Sequence, residues 1–152
     1  MPTHYKGSAR ETRALDTFIK LTRAMETLGL RLQRHLASLE ITPPQLAVLE
    51  ALLHRGPMSQ GELGRKLLRS NPNMTALLDT LERHGWIQRA RSPEDRRVVV
   101  VSLSPPGRRI IEKVFPAHAA HLTALLGVLS AEEQEALGAL CKKLGLALSS
   151  GG

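Results

Sequence analysis

Residues 71–103 read NPNMTALLDTLERHGWIQRARSPEDRRVVVVSL, and this stretch decides the fold of the chain. Its first part carries apolar residues at helical spacing and ends at Gly85, a residue type that commonly terminates helices. Its second part has two runs of strand-forming residues, 87–91 and 97–103, and the SPED sequence between them is typical of turns. The stretch therefore predicts a helix followed by a β-hairpin.

The predicted helix has a small and polar face opposite its apolar stripe. Asparagine can pair with adenine, threonine can meet phosphates or a thymine methyl, and the amides at a helix start can hold a phosphate. The candidate DNA contacts on this face are Asn71, Asn73, Thr75, Ala76, Thr80 and Arg83. For Asn71, Asn73 and Thr75 the alternative is helix capping and polar surface alone, and we expect Asn71 to be the cap in either case. Asp79 would repel phosphates, so we expect it to pair with Arg83 or with a hairpin arginine.

The tip of the predicted hairpin presents Arg91, Arg96 and Arg97 around Glu94 and Asp95. A guanidinium suits a narrow minor groove, where the negative potential is enhanced, and a neighbouring carboxylate can hold it extended. We therefore interpret Asp95 as the positioning residue and Arg97 as the probe. The alternative is a solvated charged turn, which is what most charge runs are.

One long amphipathic helix is predicted before this stretch, over residues 14–39. It is too long for the core of one small domain, so we interpret its apolar stripe as half of a dimer seam. The stripe consists of Phe18, Leu21, Met25, Leu28 and Leu32, and His35 continues its spacing. Met25 and His35 are candidates for lining a ligand cleft, with packing in the dimer seam as the alternative.

Two shorter helices are predicted next, each opened by a capping box. The first follows the TPPQ sequence at residues 42–45 and stops at Gly56. The second follows the SQGE sequence at residues 59–62, points Leu63, Leu67 and Leu68 inward, and ends near Arg69.

Two further helices are predicted after the hairpin. The first begins at the SP sequence of residues 104–105, and Pro116 should kink or break it. The last is opened by a capping box at residues 130–133, SAEE. Its apolar stripe consists of Leu137, Leu140, Cys141, Leu144 and Leu148. We predict a mainly α fold with a small β-hairpin wing, in the element order of a winged helix-turn-helix.

The composition sets outer limits on function. A length of 152 residues suits a single domain, 1–152, and a formal charge of +7 favours a polyanionic partner. The polar start and the lack of a long apolar run predict a cytoplasmic protein without a membrane partner. A nucleophile elbow, a phosphate loop and a zinc-ligand constellation are all missing from the sequence, so we predict neither an enzyme nor a cofactor.

Three residues that could carry sensing chemistry have plainer interpretations. His118 and His121 stand one helical turn apart, but no carboxylate of matching phase is near, so we predict helix surface rather than a metal site. Cys141 is the only cysteine, and its place on an apolar stripe predicts a small buried hydrophobe. The alternative for Cys141 is a redox-responsive role.

The residues 92–107, SPEDRRVVVVSLSPPG, resemble the wing of the MarR family of bacterial regulators, with its Asp-x-Arg signature, Leu-Ser/Thr and helix-opening Gly. The residues 77–87, LLDTLERHGWI, resemble the exit of that family's recognition helix. The resemblance covers nearly the whole chain. It implies a winged helix-turn-helix over about residues 43–103 and dimerisation helices over about 11–40 and 105–148.

The resemblance also implies a function, a homodimeric repressor that reads a double-stranded, pseudo-palindromic operator. By carry-over, Asp95 and Arg97 are the wing pair, and Asn73, Thr75 and Ala76 lie where the family contacts bases. Many members release DNA when a phenolic or other small aromatic effector binds between head and dimer helices. The alternatives are a winged-helix module that binds protein instead of DNA, which the arginine cluster disfavours, and a regulator that responds to oxidation of Cys141.

Overall fold

The computed structural model describes residues 2–150. The elements follow in the order α1 (Ala9–Ser38), α2 (Pro43–Arg55), β1 (Met58–Ser59), α3 (Gln60–Lys66), α4 (Asn71–Arg83), β2 (Ile87–Arg91), β3 (Val99–Leu103), α5 (Pro105–Leu126) and α6 (Ala131–Ser149). The chain divides into two compact units, Met1–His118 and Ala119–Gly152, and α5 contributes to both. The mainly α fold with a small β wing is thus confirmed.

The first helix begins earlier than its apolar stripe predicts. Ser8 is the N-cap, its hydroxyl accepts from the Glu11 amide at 3.2 Å, and the Glu11 carboxylate accepts from the Ser8 amide at 2.8 Å. The Ser8 hydroxyl also donates to the Glu11 carboxylate at 2.9 Å, and the bonds from the Ser8 backbone amide and from this hydroxyl lower the pKa of Glu11. The predicted start at residue 14 was wrong because apolar spacing marks only the packed part of a helix, whereas the cap lies in its polar first turn.

All three capping boxes that the sequence predicted are present. In each, a Ser or Thr hydroxyl accepts from the backbone of the third helical residue, whose side chain accepts from the cap backbone in return. The pairs are Thr42 with Gln45, Ser59 with Glu62, and Ser130 with Glu133.

The connection between α3 and α4 departs from the prediction at two residues. Helix α3 ends at Lys66, and Leu68 takes a positive φ of 54° with its side chain 90% exposed, so Leu68 does not point inward. The N-cap of α4 is Ser70, and Asn71 is the first helical residue, so the assignment of Asn71 as the cap was wrong. The prediction assumed that Pro72 directly follows the cap. Proline also occurs at the second position of the first helical turn, as Pro72 does here, so the predicted cap was one residue too late. The helix ends at Arg83, and Gly85 follows with φ 75°.

The wing belongs to a three-stranded antiparallel sheet with the order β1-β3-β2. The hairpin pairs Ile87 with Leu103 and Arg91 with Val99, as the sequence predicts in outline. Strand β1 was missed: it is only two residues long and pairs Met58 with Val101. A strand this short has no alternation pattern, and only its pairing with β3 defines it. Strand β1 directly precedes α3, so its pairing with β3 ties the start of α3 to the wing.

The core of the first unit holds the head together. Its fully buried side chains come from α1, α2, α3, α4, the sheet and α5, and include Leu36, Leu49, Leu63, Leu78 and Val101. Helix α4 buries Met74, Leu78 and Leu81 against this core, while Leu77 is only half-buried. The opposite side of α4 is therefore left facing solvent.

The end of the wing is locked to α5 at Gly107. The Ser104 amide donates to the Trp86 carbonyl at 3.1 Å, and the Ser104 hydroxyl accepts from the Gly107 amide at 3.1 Å as a helix cap. A β-carbon at residue 107 would lie 1.8 Å from the Trp86 carbonyl oxygen. Only glycine allows this approach of the two backbones.

Helix α5 continues through Pro116 to Leu126, so the predicted break does not occur. His118 is 8% exposed, with its ring 5.8 Å from that of Phe115, so the prediction of helix surface for His118 was wrong. His118 is buried on the same side of α5 as Ile111 and Val114, so packing overrides its polar character.

The exposed apolar faces lie on the first and last helices. On α1, Phe18 is 64% and Met25 59% exposed, while His35 is half-buried. On α6, all residues of the predicted stripe are exposed in the single chain, including Cys141. The prediction that Cys141 is buried was therefore wrong for the single chain, because the apolar stripe of α6 that carries it is exposed. Among the described residues no one helix has the length and apolar composition to cross a membrane, although two bent helix pairs meet that test by length and composition alone.

Candidate nucleic-acid interface

The outward face of α4 carries most of the candidate contacts. Asn71, Asn73, Thr75 and Ala76 are exposed on its first two turns, and Arg83 is exposed on its last turn. The buried Met74, Leu78 and Leu81 on the other side fix the rotation of the helix about its axis. The exposed residues are small at the start of the helix, so another molecule can approach its backbone closely.

The Thr75 side chain is held by a residue of the preceding helix. Gln60, the first residue of α3, donates from Nε2 to Thr75 Oγ1 at 2.8 Å. The bond joins residues 15 apart in sequence and connects the two helices at their solvent-facing side. Sequence reasoning missed Gln60, which had been considered only as part of a capping box.

Thr80 acts within the helix instead of outward. Its hydroxyl donates to the Ala76 carbonyl at 3.2 Å and accepts from Arg83 Nη2 at 3.1 Å. Thr80 therefore orients the Arg83 guanidinium, and its own polar capacity is largely used by these two bonds.

An arginine of strand β2 forms ion pairs with both carboxylates of α4. Arg89 Nη2 lies 2.6 Å from Asp79 Oδ1, and Arg89 Nε is paired with Glu82 Oε2. Burial lowers the pKa of Arg89, but the hydrogen bonds that Arg89 donates to Glu82 and Asp79, and the attraction of their charges, outweigh it and raise the pKa overall. Of the two predicted partners for Asp79, the hairpin arginine is the one present. The cluster also joins the wing to α4.

We expect Arg89→Met to weaken duplex binding about tenfold, because it leaves two carboxylates unpaired beside the face that would meet phosphates. The matched control is the triple variant that also carries Asp79→Asn and Glu82→Gln, in which the negative charge is gone. Affinity measured by fluorescence anisotropy should recover in the triple variant. Equal weakness of both variants would show that Arg89 acts by contacting DNA or by holding the wing, not by neutralisation.

The wing tip contains the predicted carboxylate–guanidinium pair. Asp95 accepts from Arg97 Nε and Nη2, each at 3.1 Å, and from the Arg97 backbone amide at 3.1 Å. These hydrogen bonds lower the pKa of Asp95, and those from the Arg97 side chain have a larger effect than the one from its backbone amide. The pair is therefore complete above the usual carboxyl pKa and is lost only as pH falls through the lowered value. The Arg97 side chain is 91% exposed, so the pair holds it extended into solvent.

The rest of the tip is built from short-range bonds. The Ser92 amide donates to the Val98 carbonyl at 2.8 Å, and the Ser92 hydroxyl donates to Glu94 at 2.8 Å, which lowers the pKa of that carboxyl. Arg91 donates from Nη1 to the Arg96 carbonyl at 2.9 Å. Arg91 therefore braces the tip in this conformation, whereas the exposed Arg96 contributes charge.

A groove runs between the wing and the starts of α3 and α4. It is lined by Ser59, Gln60, Gly61, Arg65, Asn71, Arg97, Val98 and Val99. Two predicted contacts, Asn71 and Arg97, thus share one groove with Arg65, a cation that sequence reasoning missed. Arg65 belongs to the last turn of α3, and only the packing of that helix beside the wing indicates its role.

The candidate ligand residues Met25 and His35 both belong to α1, and neither lines this groove. In residues 2–150, His, Cys, Asp and Glu side chains form no group of three that could hold a metal ion.

Helices α2 to α4 with an outward-facing last helix, followed by a β-hairpin whose tip extends an arginine, define a winged helix-turn-helix protein. The MarR family model matches residues 41–99. The HTH-type transcriptional regulator MhqR of Bacillus subtilis (strain 168) is 33% identical over 134 residues, which are 88% of this chain and 92% of that protein. This chain therefore belongs to the MarR family of transcriptional regulators.

Solved structures agree with this assignment. A probable transcriptional regulator from Pseudomonas aeruginosa superposes with a TM-score of 0.77 at 32% identity, over 83% of this chain and 94% of that one. A mutant of MarR from E. coli, complexed with operator DNA, gives a TM-score of 0.75 at 28% identity, over 84% of this chain and 95% of that one. The fold of the present chain is thus one that occurs in complex with DNA in that relative.

Proposed function

We propose that the protein is a homodimeric repressor that binds double-stranded operator DNA through α4 and the wing. The observation that carries the proposal is the exposed Arg97 held by Asp95 next to an outward helix with a small, polar start. Helix α4 would enter the major groove and Arg97 the adjacent minor groove. The operator complex of the E. coli relative supports this use of the fold.

Each candidate residue has a role in this proposal. Asn73, Thr75 and Ala76 face base edges, Asn71 and Arg83 meet phosphates at the two ends of α4, and Arg96 adds charge at the wing. Thr80, Arg91 and Asp95 hold neighbouring cations in place, by the bonds described above. The polar face offers few strong base-reading side chains, so affinity depends on the arginines, and specificity depends on the spacing between two heads.

The test is a duplex-binding gel with the wild-type protein at two salt concentrations. A protein that makes six to ten phosphate contacts should lose about 10³- to 10⁵-fold in affinity between roughly 50 and 200 mM salt. Binding that is absent at both concentrations would support the rival, a winged-helix module that docks on protein. Binding that does not change with salt would contradict the role of the arginines.

The homodimer is supported by the exposed apolar stripes of α1 and α6, which a second copy of the chain would cover. We expect Phe18→Glu to shift the protein from dimer to monomer, because it places a charge at the most exposed residue of the α1 stripe. Thr27→Glu is the matched control, since it adds the same charge on the other side of the same helix. Light scattering measures the masses. A dimeric Phe18→Glu variant would exclude this stripe as the seam.

Release by a small aromatic effector is the remaining part of the proposal, with Met25 and His35 as its candidate contacts. The half-buried position of His35 and the exposure of Met25 leave both accessible from the α1 surface in the single chain. A thermal-shift screen of phenolic compounds, followed by the gel assay, tests it. If no compound stabilises the protein or lowers its DNA affinity, effector release by phenols is wrong.

A further inference from the structure

The two threonines on the outward face of α4 differ in what their hydroxyl groups can still do. Thr80 donates its proton to the Ala76 carbonyl and accepts from Arg83, so its hydroxyl is committed inside the head. Thr75 accepts from the Gln60 amide at 2.8 Å. Since a hydroxyl has one proton and two lone pairs, this bond uses one lone pair and leaves the Thr75 proton and the second lone pair for other partners, and it makes the O–H group a stronger donor.

Gln60 is well placed to set the direction of the Thr75 O–H bond. It is the first residue of α3, which the reciprocal bonds of Ser59 and Glu62 fix at its start, and its side chain is half-buried beside the exposed Thr75. An N–H donor that points at a hydroxyl oxygen keeps the O–H bond from pointing back at it, because the two hydrogens would repel each other. The proton of Thr75 is thus directed away from α3.

We propose that Gln60 is a positioning residue that turns the O–H bond of Thr75 toward the DNA and so favours Thr75 as a hydrogen-bond donor there. The inference rests on the proposed DNA-binding function and adds the rule by which one residue reads sequence. In the major groove guanine offers N7 and O6 as acceptors, thymine offers O4 and adenine offers N7, whereas cytosine offers only the N4 amino donor. Thr75 therefore favours guanine, thymine or adenine over cytosine at the base it faces.

The experiment uses the full-length protein and a duplex selected by the wild-type protein from a random-sequence library. Affinities are measured for the wild type, Gln60→Met, Thr75→Val and the double variant, against the selected duplex and its single-base substitutions. The wild type should reject cytosine about tenfold at one position in each half-site. Gln60→Met should lose that preference at the same position only, and the double variant should be no worse than Thr75→Val.

Gln60→Glu provides a second, sharper variant. A carboxylate can only accept, so it would take the Thr75 proton for itself and present a lone pair to the DNA, which should invert the preference toward cytosine. The added negative charge also weakens binding, and the same Gln60→Glu change in the Thr75→Val background measures that part alone. Thermal unfolding of each variant checks that the head remains folded.

Additive effects of Gln60→Met and Thr75→Val would overturn the inference, because they would show that Gln60 touches DNA independently. An unchanged base preference in Gln60→Met and Gln60→Glu would overturn it as well. If the wild-type protein enriches no duplex and binds none at low salt, the proposed DNA-binding function fails, and this inference fails with it. If the wild type binds selectively but the effects of Gln60→Met and Thr75→Val are not coupled, only the role of Gln60 is contradicted and the DNA-binding function stands.

Discussion

Replacement of Arg97 by alanine is expected to abolish operator binding at physiological salt, with a loss in affinity of about a hundredfold or more. A dimer would insert two such side chains, and each guanidinium contact with a groove edge is worth about 1–3 kcal/mol. The Arg97 side chain is 91% exposed. Within residues 2–150 its guanidinium forms hydrogen bonds to the nearby Asp95 alone, so the substitution should leave folding unaffected.

The matched control for this variant is Arg108→Ala. Arg108 is an exposed cation on α5, paired with Glu112 at 3.6 Å, and its removal changes the net charge by the same amount. Arg97→Lys should be intermediate, because it keeps the charge but loses the planar, bidentate geometry. Fluorescence anisotropy gives the affinities and light scattering the masses. Intact operator binding by a dimeric Arg97→Ala protein would refute the assignment of the wing.

Replacement of Gly107 by alanine is expected to have the largest effect on stability, about 3 kcal/mol or more. The new β-carbon would lie 1.8 Å from the Trp86 carbonyl oxygen and 2.7 Å from its carbonyl carbon, and neither atom belongs to a side chain that could rotate away. The change would separate the base of the wing from α5 and disturb the Ser104 cap.

Gly138→Ala is the control for this substitution. Gly138 lies within α6, and a β-carbon added there would meet no atom within 4 Å apart from its chain neighbours and the backbone of its own helix. It should therefore stabilise the protein, by about 0.5–1 kcal/mol, since alanine is the better helix former. Denaturant unfolding measures both variants. A Gly107→Ala protein as stable as the wild type would mean that the wing and α5 are not packed as described.

Local sequence signals predicted the elements of the head but not the contacts between them. Capping boxes such as that of Thr42 and Gln45 and the turn at SPED act over a few residues, so their spacing alone reveals them. The Asp95–Arg97 pair was predictable for the same reason, since its members are two residues apart.

Contacts between distant residues could not be predicted in this way. Gln60 and Thr75 are 15 residues apart, and Arg89 and Asp79 are 10 apart, so their pairing depends on how α3, α4 and the wing pack. The burial of His118 likewise depends on tertiary packing, and it overrides the polar character of the side chain. The single-position error at Asn71 arose because Ser70 takes the N-cap position without a side-chain cap hydrogen bond, so only the backbone shows that the helix begins at Asn71.

We propose that the outward face of α4 and the Arg97 wing together read duplex DNA. Hydroxyl-radical footprinting of the wild type and of Arg97→Ala on the selected duplex tests this claim most directly. We predict that the wild type protects two segments about one helical turn apart with flanking minor-groove protection, and that Arg97→Ala, at a concentration high enough to bind, loses the flanking protection alone. Identical footprints for the two proteins, or no protection by the wild type, would contradict the account.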